Sequence, residues 1–304
     1  MKNLQLLDQK SLVDSYLARE KRLLSSFSFV SIFAWGDFFD FELSIIDEAL
    51  CIFAQHPTGT FLYLPPLNTD LSASTIEKAF KKMAQGKALK AVNRIENIPE
   101  NLLSVFKAAE YNQYTKPAEY VYRKEDLVAL SGNAYKSQRH DCNHFVTHRP
   151  GYSFMPYSDA DRQACLRLYE QWASARAAVH SDDIYCSMLE ENRLVHERLL
   201  QFWKELGLLV RVLKIEGRLV GYTLGFPLNE STFCVYGEIA DLKIQGIAAF
   251  LFRSFCADKA LASFEKINTM DDFAMPQVAF SKQAYHPSEM AISYTISMKA
   301  VHLI

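Results

Sequence analysis

The six cysteines of this 304-residue chain (Cys51, Cys142, Cys165, Cys186, Cys234 and Cys256) form no C-x-x-C pair. They sit inside apolar runs, which fits reduced, buried thiols and argues against a disulfide framework or a zinc cluster. No apolar run reaches the ~18 residues that a bilayer span requires. The stretch 26–54 comes nearest, but Asp37, Asp40, Glu42, Asp47 and Glu48 break it. The N-terminal Met1-Lys-Asn-Leu-Gln-Leu-Leu-Asp8 lacks the apolar core and cleavage signal of a secretory leader. With neither span nor leader, the expected location is cytoplasmic. Net charge is −2, so no global field draws the chain to nucleic acid or anionic lipid, and any phosphate contact must rest on a local patch. There is also no G-x-S-x-G elbow, no H-E-x-x-H pair and no G-x-x-x-x-G-K-[ST] loop.

What is present is an apolar αβ pattern. Hydrophobic residues make up 49% of the chain, enough for a large core, and the length suits one large or two ordinary domains. Periodicity predicts a helix over 8–20, strands at 42–54 and 60–64 joined at His56-Pro-Thr-Gly59, and a helix opened by the capping signature Ser74-Thr-Ile-Glu77. A strand (88–93), a helix (99–109) and a strand (117–123) follow. The second half repeats this grammar. A helix capped by Ser158-Asp-Ala-Asp161 leads to one at 188–205, then to a hairpin of 208–215 and 219–226 across Glu216-Gly217. A strand (232–238), a helix (246–260), a strand (264–268), a helix (276–284) and a β-rich end (290–302) complete it. Two copies of one mixed α+β unit are expected, 1–149 and 150–304, divided near Arg149-Pro-Gly151, where two breakers sit together.

Two polar segments interrupt this pattern. One is Gly132-Asn-Ala-Tyr-Lys-Ser-Gln-Arg-His-Asp-Cys-Asn-His-Phe145. The other is Ile267-Asn-Thr-Met-Asp-Asp-Phe-Ala274, followed by Lys282-Gln-Ala-Tyr-His-Pro287. Buried polar groups need partners, so a site is expected there. The segments resemble the bacterial family named for the C-terminal domain of phosphatidylglycerol lysyltransferase. Gly132, Tyr135, Arg139, Asn143 and Phe145 match its G-K-K-[FY]-x-x-K-R-N-H-x-N-x-F segment. Ile267, Asn268, Asp272, Tyr285 and Pro287 match its I-N-R-E-E-D-L-G and Y-x-P elements. The aromatic-rich stretch from Ser26 to Trp35 is similar to the family's start. Departures are Gln138 for Lys, His140-Asp141 for Asn-His, Thr269-Met270 for Arg-Glu, Ala274 for Gly, and Ala279-Phe280 for a basic pair. The resemblance implies tandem GNAT-like (acyl-CoA N-acyltransferase-like) αβ domains, with mixed sheets flanked by helices. It further implies transfer of an acyl or aminoacyl group from acyl-CoA or aminoacyl-tRNA to an amine or hydroxyl. The partners would be a small-molecule or aminoacyl donor, tRNA included, with no covalently bound cofactor. The missing Arg-Glu pair at Thr269-Met270 favours a second reading, a catalytically degenerate ligand- or partner-binding module on the same fold, whereas the retained Arg139, Asn143, Asn268 and Asp272 favour the transferase.

The candidate residues each carry two readings. As a helix, 133–148 has Tyr135, Cys142, Phe145 and Val146 on an apolar face and Lys136, His140, Asn143 and Thr147 on a polar one. Arg139, four residues before Asn143, can offer its planar fork to phosphate or carboxylate, or can pair with a structural Asp or a helix C-terminus. Lys136, Arg139, Asn143 and Asn268 are the candidate substrate contacts. His140, His144 and His148 share one face, but a closed zinc site needs a fourth ligand, and a solvated stripe with no metal is expected. In Lys243-Ile-Gln-Gly-Ile-Ala248, the residues Gly246, Ile247 and Ala248 are similar to the turn with which acetyltransferase folds grip the coenzyme A pyrophosphate; otherwise Gly246 is a turn residue. Asp272 can accept a proton from an attacking amine or cap the next helix. Tyr285 can protonate a leaving group or satisfy a buried acceptor. Asp272 and Tyr285 are the candidate catalytic pair.

Overall fold

A computed structural model of the chain describes residues 2–19, 22–68, 71–85, 93–107, 109–179 and 182–299. Two compact units emerge: Met1–Glu119 with Asp271–Ala274 and Met290–Ile304, and Tyr120–Met270 with Met275–Glu289. No change of unit falls at Arg149-Pro-Gly151, where the sequence suggests one. The breakers there only link a helix to the strand that follows.

In the first unit, the helix expected over 8–20 is two helices, α1 (Lys2–Asp8) and α2 (Lys10–Leu17), followed by α3 (Phe29–Ala34). The stretch 42–54 is a hairpin of β1 (Asp40–Ile46) and β2 (Ala49–His56), not one strand. Asp47 and Glu48 turn it in left-handed conformations (φ 48° and 65°), a geometry that Asn-Gly normally signals and that carried no sequence flag here. After β3 (Gly59–Leu62) comes α4 (Ala73–Ala84). Its cap is Ser72, whose hydroxyl accepts from the Thr75 N–H at 3.1 Å, rather than Ser74. The strand expected at 88–93 lies, through residue 92, outside the described residues. β4 (Arg94–Pro99) runs parallel to β3, and the helix expected at 99–109 is a short 3-10 turn, Glu100–Val105. β5 (Tyr111–Thr115) follows, and β13 (Ser293–Met298) inserts between β4 and β5 to give the order β1-β2-β3-β4-β13-β5. Ile76, Phe80 and Met83 of α4 pack on Cys51, Phe53 and Ile296 of this sheet.

The second unit begins with β6 (Glu119–Arg123), α5 (Lys124–Ala129) and α6 (Lys136–His148), then β7 (Tyr152–Pro156), α7 (Arg162–Ala177), α8 (Asp183–Gln201) and α9 (Trp203–Leu206). A meander of β8 (Leu209–Ile215), β9 (Arg218–Pro227) and β10 (Thr232–Ala240) leads to α10 (Ile247–Cys256), β11 (Lys266–Asn268), α11 (Pro276–Gln283) and β12 (Glu289–Ala291). The Ser158/Asp161 capping box forms as expected, and Glu216-Gly217 makes the β8–β9 turn with both φ positive (49° and 80°). The order is β12-β6-β11-β10-β9-β8-β7. Each sheet therefore includes a strand from the other half of the sequence, β13 in the first and β6 in the second. β10 and β11 are parallel, but pair only over Thr232–Cys234 and Lys266–Asn268. β10 runs on to Ala240 paired with β9 alone. Side chains alternate between faces along a strand. Tyr222 meets His196 of α8 on one face, and Gly221 approaches Leu251 of α10 on the other.

Candidate active site

The pairing of β10 with β9 slips between Val235 and Gly237, a bulge of the kind that re-aims side chains. Gly237 faces α8: a Cβ there would stand 2.8 Å from His196 Cε1. The next residue, Glu238, therefore faces the α10 side. Its Oε2 is enclosed and has no hydrogen-bond partner among the described residues, although the residue as a whole keeps a partial opening to solvent. Desolvation pushes its carboxyl from 4.5 to about 8. The Tyr285 hydroxyl is raised well above the usual phenol range, first by burial and then by the charge of Glu238. The Cys256 thiol is raised by the same two causes in the same order. Tyr285 stands edge-on to Phe252 with ring centroids 5.1 Å apart. Its backbone is clamped. Tyr122 Oη donates to the Lys282 carbonyl (2.9 Å), Gln138 Nε2 to that of Ala284 (2.7 Å) and Tyr135 Oη to that of Tyr285 (3.1 Å). These bonds anchor the end of α11, where the Lys282 carbonyl also accepts from the Tyr285 N–H at 3.1 Å. Glu238, Tyr285 and Cys256 thus gather on one face of the second sheet. On the opposite face burial pushes His196 down to about 4, so it is neutral at pH 7, with Nδ1 2.9 Å from Tyr222 Oη.

The residues singled out from sequence are distributed differently. Arg139 Nη1 donates to the carbonyls of Leu130, the residue ending α5, and of Gly132 (2.9 Å for the latter). This is the helix-C-terminus reading. Lys136 and Asn143 are exposed on the polar face of α6, as expected. Val146, placed on the apolar face, is 42% exposed, and Gln138 is buried instead. Asn268 is fully buried, and its Oδ1 accepts from the Met270 N–H at 2.6 Å, so it offers no surface to a substrate. Asp272 belongs to the first unit, whereas Lys136, Arg139, Asn143, Gly246, Asn268 and Tyr285 belong to the second. Asp272 Oδ1 accepts from the Ala274 N–H at 2.9 Å, capping a turn in which Phe273 and Ala274 are left-handed (φ 53° and 55°). Gly246 opens α10 at φ 78°, and a Cβ there would collide with the Asp141 carbonyl of α6. Close approach of α6 therefore requires this glycine, beside Ile247 (buried) and Ala248 (exposed). His144 and His148 stack at 4.1 Å, and among the described residues no group of three His, Cys, Asp or Glu side chains is placed to hold a metal. Sequence reasoning missed Glu238. Its signal was a lone acidic residue inside the apolar run Phe233-Cys-Val-Tyr-Gly-Glu-Ile-Ala240.

Two mixed sheets flanked by helices, each with a parallel strand pair, define a tandem GNAT-like fold. The chain belongs to the family described as phosphatidylglycerol lysyltransferase, C-terminal, whose profile matches residues 18–296. Among solved structures, a conserved protein of unknown function from Bacteroides thetaiotaomicron is similar over 96% of this chain and 97% of its own, with TM-score 0.85 and 22% identity. L-PGS from Bacillus licheniformis is similar over 96% and 93%, with TM-score 0.65 and 15% identity. A tandem GNAT protein from the clavulanic acid biosynthesis pathway is similar over 98% and 94%, with TM-score 0.50 and 11% identity. At these identities the likeness is one of fold. No curated protein sequence matches the chain. Among the described residues no helix is long and apolar enough to cross a membrane.

Proposed function

We propose that the second unit transfers an acyl or aminoacyl group to an amine, with Glu238 as proton acceptor and Tyr285 as proton donor. The observation that carries this reading is the enclosed Glu238 Oε2, without a hydrogen-bond partner among the described residues, on a carboxyl whose charge acts on Tyr285. A desolvated carboxylate with no cation paired to it among the described residues favours a ligand that brings its own positive charge, which is what an ammonium group does. Glu238, held near 8, takes the proton that the amine must lose to become a nucleophile. The free amine attacks the donor's carbonyl carbon, the carbon–oxygen or carbon–sulfur bond breaks, and the leaving atom takes a proton from Tyr285. The attacking nitrogen gives its second proton to the Tyr285 phenolate, and Glu238 releases the first to solvent through its partial opening. Burial keeps that phenol protonated, as a donor must be. The unpaired edge of β10 beyond Cys234 offers backbone groups to an extended donor.

Packing of α6 against Gly246 leaves less room for a pyrophosphate at the start of α10, which favours aminoacyl-tRNA over acyl-CoA as donor. In this reading Lys136 and Asn143, both exposed, are donor contacts, while Asp272 takes no part in the chemistry. The test is turnover of amine acceptors with aminoacyl-tRNA and acyl-CoA donors. Glu238→Gln is expected to abolish transfer, Asp272→Asn to retain it, and the rate to rise as pH passes through about 8, because the base must be ionised. Full turnover by Glu238→Gln would end this assignment. Binding of amine without any transfer would favour the degenerate ligand-binding module instead.

A further inference from the structure

Thr223 is the cross-strand partner of Glu238, and Arg211 is the cross-strand partner of Thr223, so the three residues form a row on one face of β8, β9 and β10. The Arg211 guanidinium is engaged elsewhere: Nε and Nη2 donate to Asp258 Oδ2 and Oδ1 at 2.6 and 3.2 Å. Thr223 is fully buried, and its Oγ1 has no hydrogen-bond partner among the described residues. The neighbouring Glu238 Oε2 is in the same condition. Directly opposed residues of an antiparallel pair have Cβ atoms about 5 Å apart, so a side-chain rotation brings the hydroxyl and the carboxylate into contact. No other side chain bonds Oε2 among the described residues. Tyr285 and Cys256 are held protonated and lie near enough to feel its charge, but neither bonds it. Cys142 and Asp141 of α6 act on Tyr285, and Lys124 of α5 acts on Cys256.

We infer that Thr223 is a positioning residue for Glu238: its hydroxyl donates to Oε2 when the carboxyl ionises and fixes the orientation in which Oε1 meets the substrate's proton. An isolated buried carboxylate needs such a donor, and a hydrogen bond made only to the charged form draws the titration down. The inference rests on the reading of Glu238 as the site's proton acceptor, yet its test uses no substrate.

The protonated-carboxyl infrared band present in the wild type and absent from Glu238→Gln is followed against pH. Thr223→Val, which keeps the shape and removes the donor, is expected to move the midpoint up by about one to two pH units. Thr223→Ser, which keeps the donor, is expected to leave it in place. Thr223→Cys, a weak donor, serves where the Val variant does not fold, and its midpoint is expected between the two. An unchanged midpoint in the Val variant (or in the Cys variant standing in for it), or an equal shift in Val and Ser variants, overturns the assignment and leaves Thr223 a packing residue. Absence of transfer activity in the wild type, together with the expected midpoint shifts, would refute the proposed reaction and not this inference.

Discussion

The burial of Glu238 makes a strong statement about stability against pH. A carboxyl raised from 4.5 unfolded to about 8 folded binds its proton more tightly in the folded state. Between those values the folded chain therefore holds more protons than the unfolded one, and stability falls as pH rises. Ionising the group in the folded state costs about 1.4 kcal/mol per pH unit of displacement, so the full loss is about 5 kcal/mol, complete above pH 8, with about 3 kcal/mol already lost at pH 7. Local rearrangement and water entry lower these figures, so they are upper bounds. Glu238→Gln keeps the shape and removes the titration. Denaturation by urea, followed by fluorescence of Trp172 and Trp203 in the second unit, gives the unfolding free energy of both chains from pH 4 to 9. The difference is expected to be small near pH 4 and to grow in favour of the Gln variant up to pH 8, then level off. Parallel curves across that range would show a carboxyl that titrates normally, and the desolvation of Glu238, with the proposed chemistry, would fall.

Gly246→Ala is expected to destabilise the chain by about 3 kcal/mol, since it adds left-handed strain at φ 78° to a collision with the Asp141 carbonyl; an unchanged melting temperature would mean that α6 does not press on that turn. Ala274→Gly, at φ 55° on an exposed turn, is expected to stabilise by about 0.5–1 kcal/mol in calorimetry, and destabilisation would contradict the left-handed assignment. A chain ending at residue 289 lacks β13, which separates β4 from β5 and supplies the fully buried Ile296. Hydrogen exchange is expected to show β4 and β5 deprotected and β8–β10 still protected; retained protection in β4 would argue against the strand order.

Elements with strong local signals were legible in the sequence. The Glu216-Gly217 turn, the Ser158–Asp161 capping box and the amphipathic α6 follow from residue types at fixed spacing, and all form. The β1–β2 hairpin was not legible, because Asp47 and Glu48 adopt left-handed turns without the glycine or asparagine that normally marks them. The two polar segments were read as the place of a site, and most of the hydrogen bonds they make are structural. Arg139 closes the end of α5, Gln138 and Tyr135 hold the end of α11, and Asn268 and Asp272 cap turns. Tyr285 carries a motif in the sequence, whereas no motif marks Glu238, because its character depends on what surrounds it.

By itself the sequence determined the α+β class, the family and the polar segments, since these depend on periodicity and on residues at fixed separations along the chain. Tertiary structure alone decided that β6 and β13 complete sheets in the half of the sequence opposite their own, because strand pairing is a long-range choice. It alone enclosed a carboxyl oxygen without a partner among the described residues, on a carboxyl whose charge acts on a tyrosine 47 positions later in the chain. A proton affinity is set by solvent and neighbouring charge, which are properties of the fold rather than of the residue.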